Sequence, residues 1–299
     1  MDVDEETAEA RLLQACGQAD LVTASALLRA GASANFVSPQ DGSTPLLECC
    51  LAGSLEGVQL LLNASAQADA TDHEGRGVVL CAAEGGSLEL LAWLVERGFG
   101  SLADCSEDGS TPLLCAAVGG SVEVVAWLLD GAGRDDLATV SSLAERDDRG
   151  ADAFLVAAEY GSVPVMRELL RRGAACSSVD DHGCGVMHYA AAGGDVSVLR
   201  FCAQELRASC VARDNDGDTP LIVAAHEGHA AAVQWLLGHG SSLSERNNEG
   251  MSALMAAAAG ERTDVVALLS KKGGADGQGW IEDVSMHPEL VLNFLERGL

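Results

Sequence analysis

His226-Glu227-Gly228-His229 is the stretch whose residue types come nearest to a reactive centre. A zinc protease needs H-E-x-x-H on one helix, two histidines four apart holding the metal and the glutamate acting as base. Here the histidines stand three apart, and Gly228 is a helix stop rather than a helix interior. Ten cysteines offer a second opening, but none forms a CxxC pair, so neither a zinc site nor a thioredoxin-type centre is implied. Cys50, Cys81, Cys115 and Cys202 fall inside Ala/Leu runs, where a reduced thiol serves as a small hydrophobe. No nucleophile elbow, phosphate-cradling glycine loop or kinase signature occurs. The sequence reads as non-catalytic, with no cofactor and no metal.

What remains is the chemistry of recognition. The formal net charge is −27, with two lysines, Lys271 and Lys272, among 18 basic residues. Such a field repels nucleic acid and anionic lipid and favours a basic protein partner. It also serves to keep an alanine-rich chain in solution. The acidic N-terminus lacks the pattern of a signal peptide, and no apolar run approaches a membrane span of roughly 20 residues. A cytoplasmic or nuclear location is the expectation, and a monomer.

The elements that must position any recognition residues announce themselves through glycine. In a D/N-x-x-G-like setting it recurs at Gly42, Gly75, Gly109, Gly150, Gly183, Gly217 and Gly250, at intervals of 33, 34, 41, 33, 34 and 33 residues. A period in that range signals stacked supersecondary units, each burying its apolar face on its neighbours. After the marker comes Thr-Pro-Leu at Thr44, Thr111 and Thr219, in which Thr can cap a helix and Pro fits its first turn. A small-residue run follows, such as Cys115-Ala116-Ala117 or Val223-Ala224-Ala225, favouring a helix that others can approach closely. Eleven residues beyond the marker a second glycine ends that helix (Gly53, Gly86, Gly120, Gly161, Gly194, Gly228); the last unit is offset, with Gly260 before Glu261. A second helix then runs to a third glycine at Gly98, Gly173, Gly240 and Gly273. Ser65, Ala132 and Leu206 replace that third glycine, so those helices are expected to end differently and to stack less firmly.

These phased residues resemble the ankyrin-repeat family over about residues 8–274. The resemblance implies an all-α fold, an α-solenoid of about eight helix–turn–helix repeats with projecting hairpin-like loops, and binding rather than catalysis. The expected organisation is a capping repeat over 1–40, seven repeats over 41–274 with a long insertion near 132–146, and a degenerate repeat or capping helix over 275–299. Within the last part, Gly274–Gly279 reads as a loop and Glu289–Gly298 as a second helix. The T-P-L-H histidine of the family survives at His188.

The resemblance also implies that partners meet the loop tips and the inner helices. Asp or Asn beside the marker glycine is expected to serve the turn, leaving the position two before it freer; Glu107, Asp148 and Asp181 form a consecutive acidic run there. Tyr160 and Tyr189, the two tyrosines of the chain, fall on inner-helix positions of adjacent repeats, near Glu159, His226 and Glu227. Tyrosine combines a large contact area with a polar tip, so these eight residues are the candidate partner-binding set. Each tyrosine is equally well suited to packing against the neighbouring repeat. Trp93, Trp127 and Trp235 each lie eighteen residues after a marker, where Leu60, Phe201 and Leu268 stand elsewhere, and read as core packing. The function expected is a scaffold or adaptor; the alternative is the recognition segment of a longer enzyme of kinase or ubiquitin-ligase type.

Overall fold

The computed structural model describes residues 7–131 and 142–276. Everything described there is helix, turn or loop. The exception is an isolated antiparallel bridge between Val179 and Gly185. Two compact units divide the chain, Met1–Asp148 and Arg149–Leu299.

The first unit contains α1 (Ala8–Gly17), α2 (Leu21–Arg29), α3 (Pro45–Leu51), α4 (Leu55–Asn63), α5 (Val78–Glu84), α6 (Leu88–Arg97), α7 (Pro112–Gly119) and α8 (Val122–Leu129). The second contains α9 (Ala153–Glu159), α10 (Val163–Arg171), α11 (Val186–Gly193), α12 (Val196–Gln204), α13 (Pro220–Glu227), α14 (Ala230–Leu237), α15 (Ala253–Ala259) and α16 (Thr263–Asp276). Within each unit the odd-numbered helices pack on one another as a close inner row, and each even-numbered helix packs behind its partner as a looser outer row. The inner row is tight because its contact faces are alanine: Ala82, Ala116, Ala157, Ala190, Ala224 and Ala257 are fully buried. Leu61, Leu90, Leu91, Val124, Val125 and Leu128 close the core from the outer row of the first unit.

Local chemistry sets each helix start. Thr44 and Thr111 accept the N–H of Leu47 and Leu114 as N-caps, with Pro in the first turn. Thr219 departs from this. Its hydroxyl donates instead to Glu245 Oε2 at 2.5 Å, while Ser242 N–H donates to Glu245 Oε1 at 2.6 Å, so the following loop is tied to the start of α13. Thr111 and Glu145 repeat the arrangement in the first unit.

The left-handed helix stops follow the expected phase even where glycine is missing. The second-phase glycines adopt φ between +66° and +89°. In the last repeat that conformation falls on Glu261, at φ +57°, while Gly260 keeps φ −78°. Gly260 is needed for another reason: a Cβ there would lie 2.5 Å from the His226 carbonyl oxygen. Gly85, Gly119 and Gly193 occupy the same position and press at least as close on the preceding inner helix. Near the third phase a left-handed residue recurs without the expected glycine, on the position itself at Ser65 but shifted by one at Arg207 and Gly131. Ser65 and Arg207 take φ +66° and +59°, and Gly131 takes φ +79° one residue ahead of Ala132, which lies outside the described residues.

Two further expectations change. Helix α16 does not stop at Gly273 but continues to Asp276, so the start of the expected loop at 274–279 is helical. The tryptophans are not core residues; Trp93, Trp127 and Trp235 are half-buried on the outer row, where Trp93 stacks on Phe99 and Trp235 on His239. Of the 132–146 insertion only 142–146 is described, and the expected helix at 289–298 lies outside the described residues.

Candidate partner-binding surface

Most loop tips are built by the residue three before the marker glycine, the D/N of the D/N-x-x-G setting. Asp180 Oδ1 accepts the N–H groups of His182 and Cys184, and Asp214 Oδ1 those of Asp216 and Asp218. Asp72 and Asn247 do the same in their own turns. These side chains are spent on the turn, as Asx-turn geometry requires. The recurrence of Asp72, Asp147, Asp180, Asp214 and Asn247 at one count was the available signal.

The residue two before the glycine is less free than expected. Its backbone N–H reaches back to the preceding tip: Asp181 to Arg149 O at 3.0 Å, Asn215 to His182 O at 2.8 Å and Asn248 to Asp216 O at 2.9 Å. In the first unit His73, Glu107 and Asp148 make the same bonds. Their side chains lie against the preceding marker glycine, so a Cβ on Gly75 would meet Glu107 and one on Gly150 would meet Asp181. Glu107, Asp148 and Asp181 nonetheless stay exposed, their carboxylates at the tips.

The second unit gathers the remaining candidates along its inner row. A cleft of about 240 Å³ is lined by Arg149, Glu159, Asp180, His182, Tyr189 and Val223, among others. Tyr189 is only 6% exposed; it contributes a ring wall instead of a projecting anchor, and its hydroxyl donates to Asp180 Oδ2 at 3.0 Å. The Arg149 guanidinium stands 5.9 Å from the Tyr189 ring centroid, and its Nη2 is 3.6 Å from Glu159 Oε2. Tyr160, the C-cap of α9, is 57% exposed and lies outside the cleft lining. His226 and Glu227 are exposed at the end of α13 and pair with each other at 2.9 Å, while Arg262 Nε donates to the His226 carbonyl. Thus Glu159 and Tyr189 meet at the cleft, Tyr160 adjoins it in sequence, and His226 and Glu227 sit two inner helices further along.

Burial first, then the nearby Asp180 carboxylate, push Cys184 up to about 12. His188 is buried, its Nδ1 accepts the Gly185 N–H and its Nε2 faces the Asp218 carbonyl, which fixes the Nε2–H tautomer. The same carboxylate row exists in the first unit, where Glu84 is closed by Arg76 at 2.7 Å and Arg76 also binds Asp72 at 2.8 Å. Burial raises the Glu84 carboxyl above its usual range.

A family model described as ankyrin repeats (3 copies) matches residues 65–138 and 201–278, and one described as ankyrin repeat matches 41–73. The neurogenic locus notch homolog protein 2 of Homo sapiens is 32% identical over 130 residues, covering 44% of this chain and 5% of that protein. The ankyrin repeat and KH domain-containing protein mask-1 of Caenorhabditis elegans is 26% identical over 247 residues, 81% of this chain and 9% of that protein. The neurogenic locus notch homolog protein 1 of Xenopus laevis is 29% identical over 143 residues, 48% and 6% respectively. The chain spans less than a tenth of the length of these curated relatives.

Proposed function

The chain belongs to the ankyrin-repeat family, and on that premise we propose that it is a non-catalytic scaffold or adaptor that binds a basic protein segment. The observation that carries this reading is the inner surface of the second unit, where Tyr160 stands exposed beside Glu159, with Asp181 exposed at a loop tip and His226 and Glu227 exposed two inner helices further along. A preformed row of short helices loses little entropy on binding, and carboxylates at its rim steer a cationic partner. In the first unit Glu107 and Asp148 add to the acidic tips. No helix among the described residues is long and apolar enough to cross a membrane. The proposed setting is a monomer in the cytoplasm or nucleus, with no nucleic-acid partner.

The experiment is selection of a random peptide library on the intact chain, followed by titration of the enriched peptides at rising salt. The reading expects a basic bias among the winners, affinity that falls with ionic strength, and a loss on Tyr160→Ala or Glu227→Gln. Winners without basic bias, or binding indifferent to both salt and these substitutions, would refute it.

A further inference from the structure

We propose that the cleft at Tyr189 is a subsite for an arginine side chain of the partner, and that Arg149 is the resident guanidinium which this side chain displaces. The inference rests on the inner surface of the second unit being the binding surface.

The chain supplies the fit itself. Arg149 lies within reach of the Tyr189 ring face at 5.9 Å and of Glu159 Oε2 at 3.6 Å, the two contacts that recognise a planar cation. The ring is held in place for that purpose, because the buried Tyr189 hydroxyl is anchored on Asp180 Oδ2. Two carboxylates, Glu159 and Asp180, line the cleft, so a cation that takes the place of Arg149 meets a favourable field.

Comparison with the first unit shows why exchange is feasible here. Arg76 is one-quarter exposed and locked between Asp72 at 2.8 Å and Glu84 at 2.7 Å. Arg149 is 53% exposed and sits on a loop tip beside open cleft volume. Half-solvation lowers what the Arg149–Glu159 pair contributes, since exposed ion pairs are weak. Arginine is favoured over lysine because the guanidinium is weakly hydrated and stacks flat on a ring, whereas an ammonium keeps its water.

The probe is acetyl-arginine amide, titrated into the isotope-labelled intact chain, with acetyl-citrulline amide as the uncharged isostere. Amide shifts are expected at His182, Tyr189 and Val223 with arginine and not with citrulline. Arg149→Gln should strengthen arginine binding about two- to fivefold, the range of one exposed cation–π contact. Glu159→Gln should abolish it while leaving the spectrum dispersed. Equal shifts with citrulline, shifts confined to other residues, or unchanged or weaker binding in Arg149→Gln would overturn the proposal. Should Arg149→Gln not fold, the arginine–citrulline contrast in the unaltered chain decides alone. If arginine fails but library-selected basic peptides still bind, the subsite is refuted and the binding surface stands; if both fail, both readings fall.

Discussion

Gly193 lies directly against the carbonyl oxygen of Glu159: a Cβ built on Gly193 would stand 1.7 Å from that atom. Gly119 bears the same relation to Glu84, at 1.8 Å. Neither glycine has the positive φ that usually explains the residue. Their role is spacing, since the inner helices approach so closely at their C-terminal ends that a methyl group has no room.

Gly193→Ala and Gly119→Ala are therefore expected to cost about 2–4 kcal/mol each, by forcing the stacked inner helices apart. Urea denaturation followed by circular dichroism measures this. A loss below that of a substitution at a left-handed glycine such as Gly161 would contradict the spacing role.

Glu261 is the reverse case, a side chain in a left-handed position that its counterparts fill with glycine. Glu261→Gly should raise stability by about 0.5–1 kcal/mol, the left-handed penalty less the entropy glycine loses on folding. The thermal midpoint of the variant checks the sign; an unchanged or lower midpoint refutes it.

Thiol labelling reads the fold independently. Cys105 and Cys176 are exposed, while Cys16, Cys49, Cys50, Cys81, Cys115 and Cys202 are buried. Burial above all pushes Cys115 and Cys202 up to about 12, so they are poor thiolates as well as shielded. Cys105 and Cys176 should react rapidly with a thiol reagent in the native chain and the buried set only on unfolding. Mass spectrometry of the labelled peptides locates the sites, and fast labelling at Cys81 or Cys115 would contradict the packing.

A pH effect follows from α10. Hydrogen bonds from Arg171 and then Arg172 hold the Glu168 carboxyl down to about 2. A carboxyl depressed in the folded state adds stability above its unfolded value, and that addition fades as pH falls from the usual carboxylate range towards 2. Glu168→Gln should flatten the acid limb of the thermal midpoint over that interval and change little near neutrality in slope. An identical acid limb in the variant would show that the pair does not contribute.

Most of the repeat was legible in the sequence because backbone conformation recurs with the period. The marker and second-phase glycines declare left-handed stops that any count can find. Interactions between successive repeats were not legible in the same way. Whether glycine is needed for its φ or for the space beside it cannot be told from type, which is why Gly260 read as an offset marker. Tyr189 and Tyr160 look alike as letters, yet one falls on the buried phase of its helix and the other on an exposed C-cap. The cleft partners Arg149 and Asp180 come from loops, where one residue of register decides between a turn anchor and a free side chain.

The backbone bonds between successive tips have a mechanical consequence. In the second unit Asp181, Asn215 and Asn248 each hold the tip before them, and the alanine faces lock the inner helices beside that row. The outer helices touch more sparingly. Such a unit resembles a bound book: the spine resists stretching, while the fore-edge can fan open or close. Deformation by a ligand or a pulling force would then appear as altered spacing among α10, α12, α14 and α16, with the spine keeping its length.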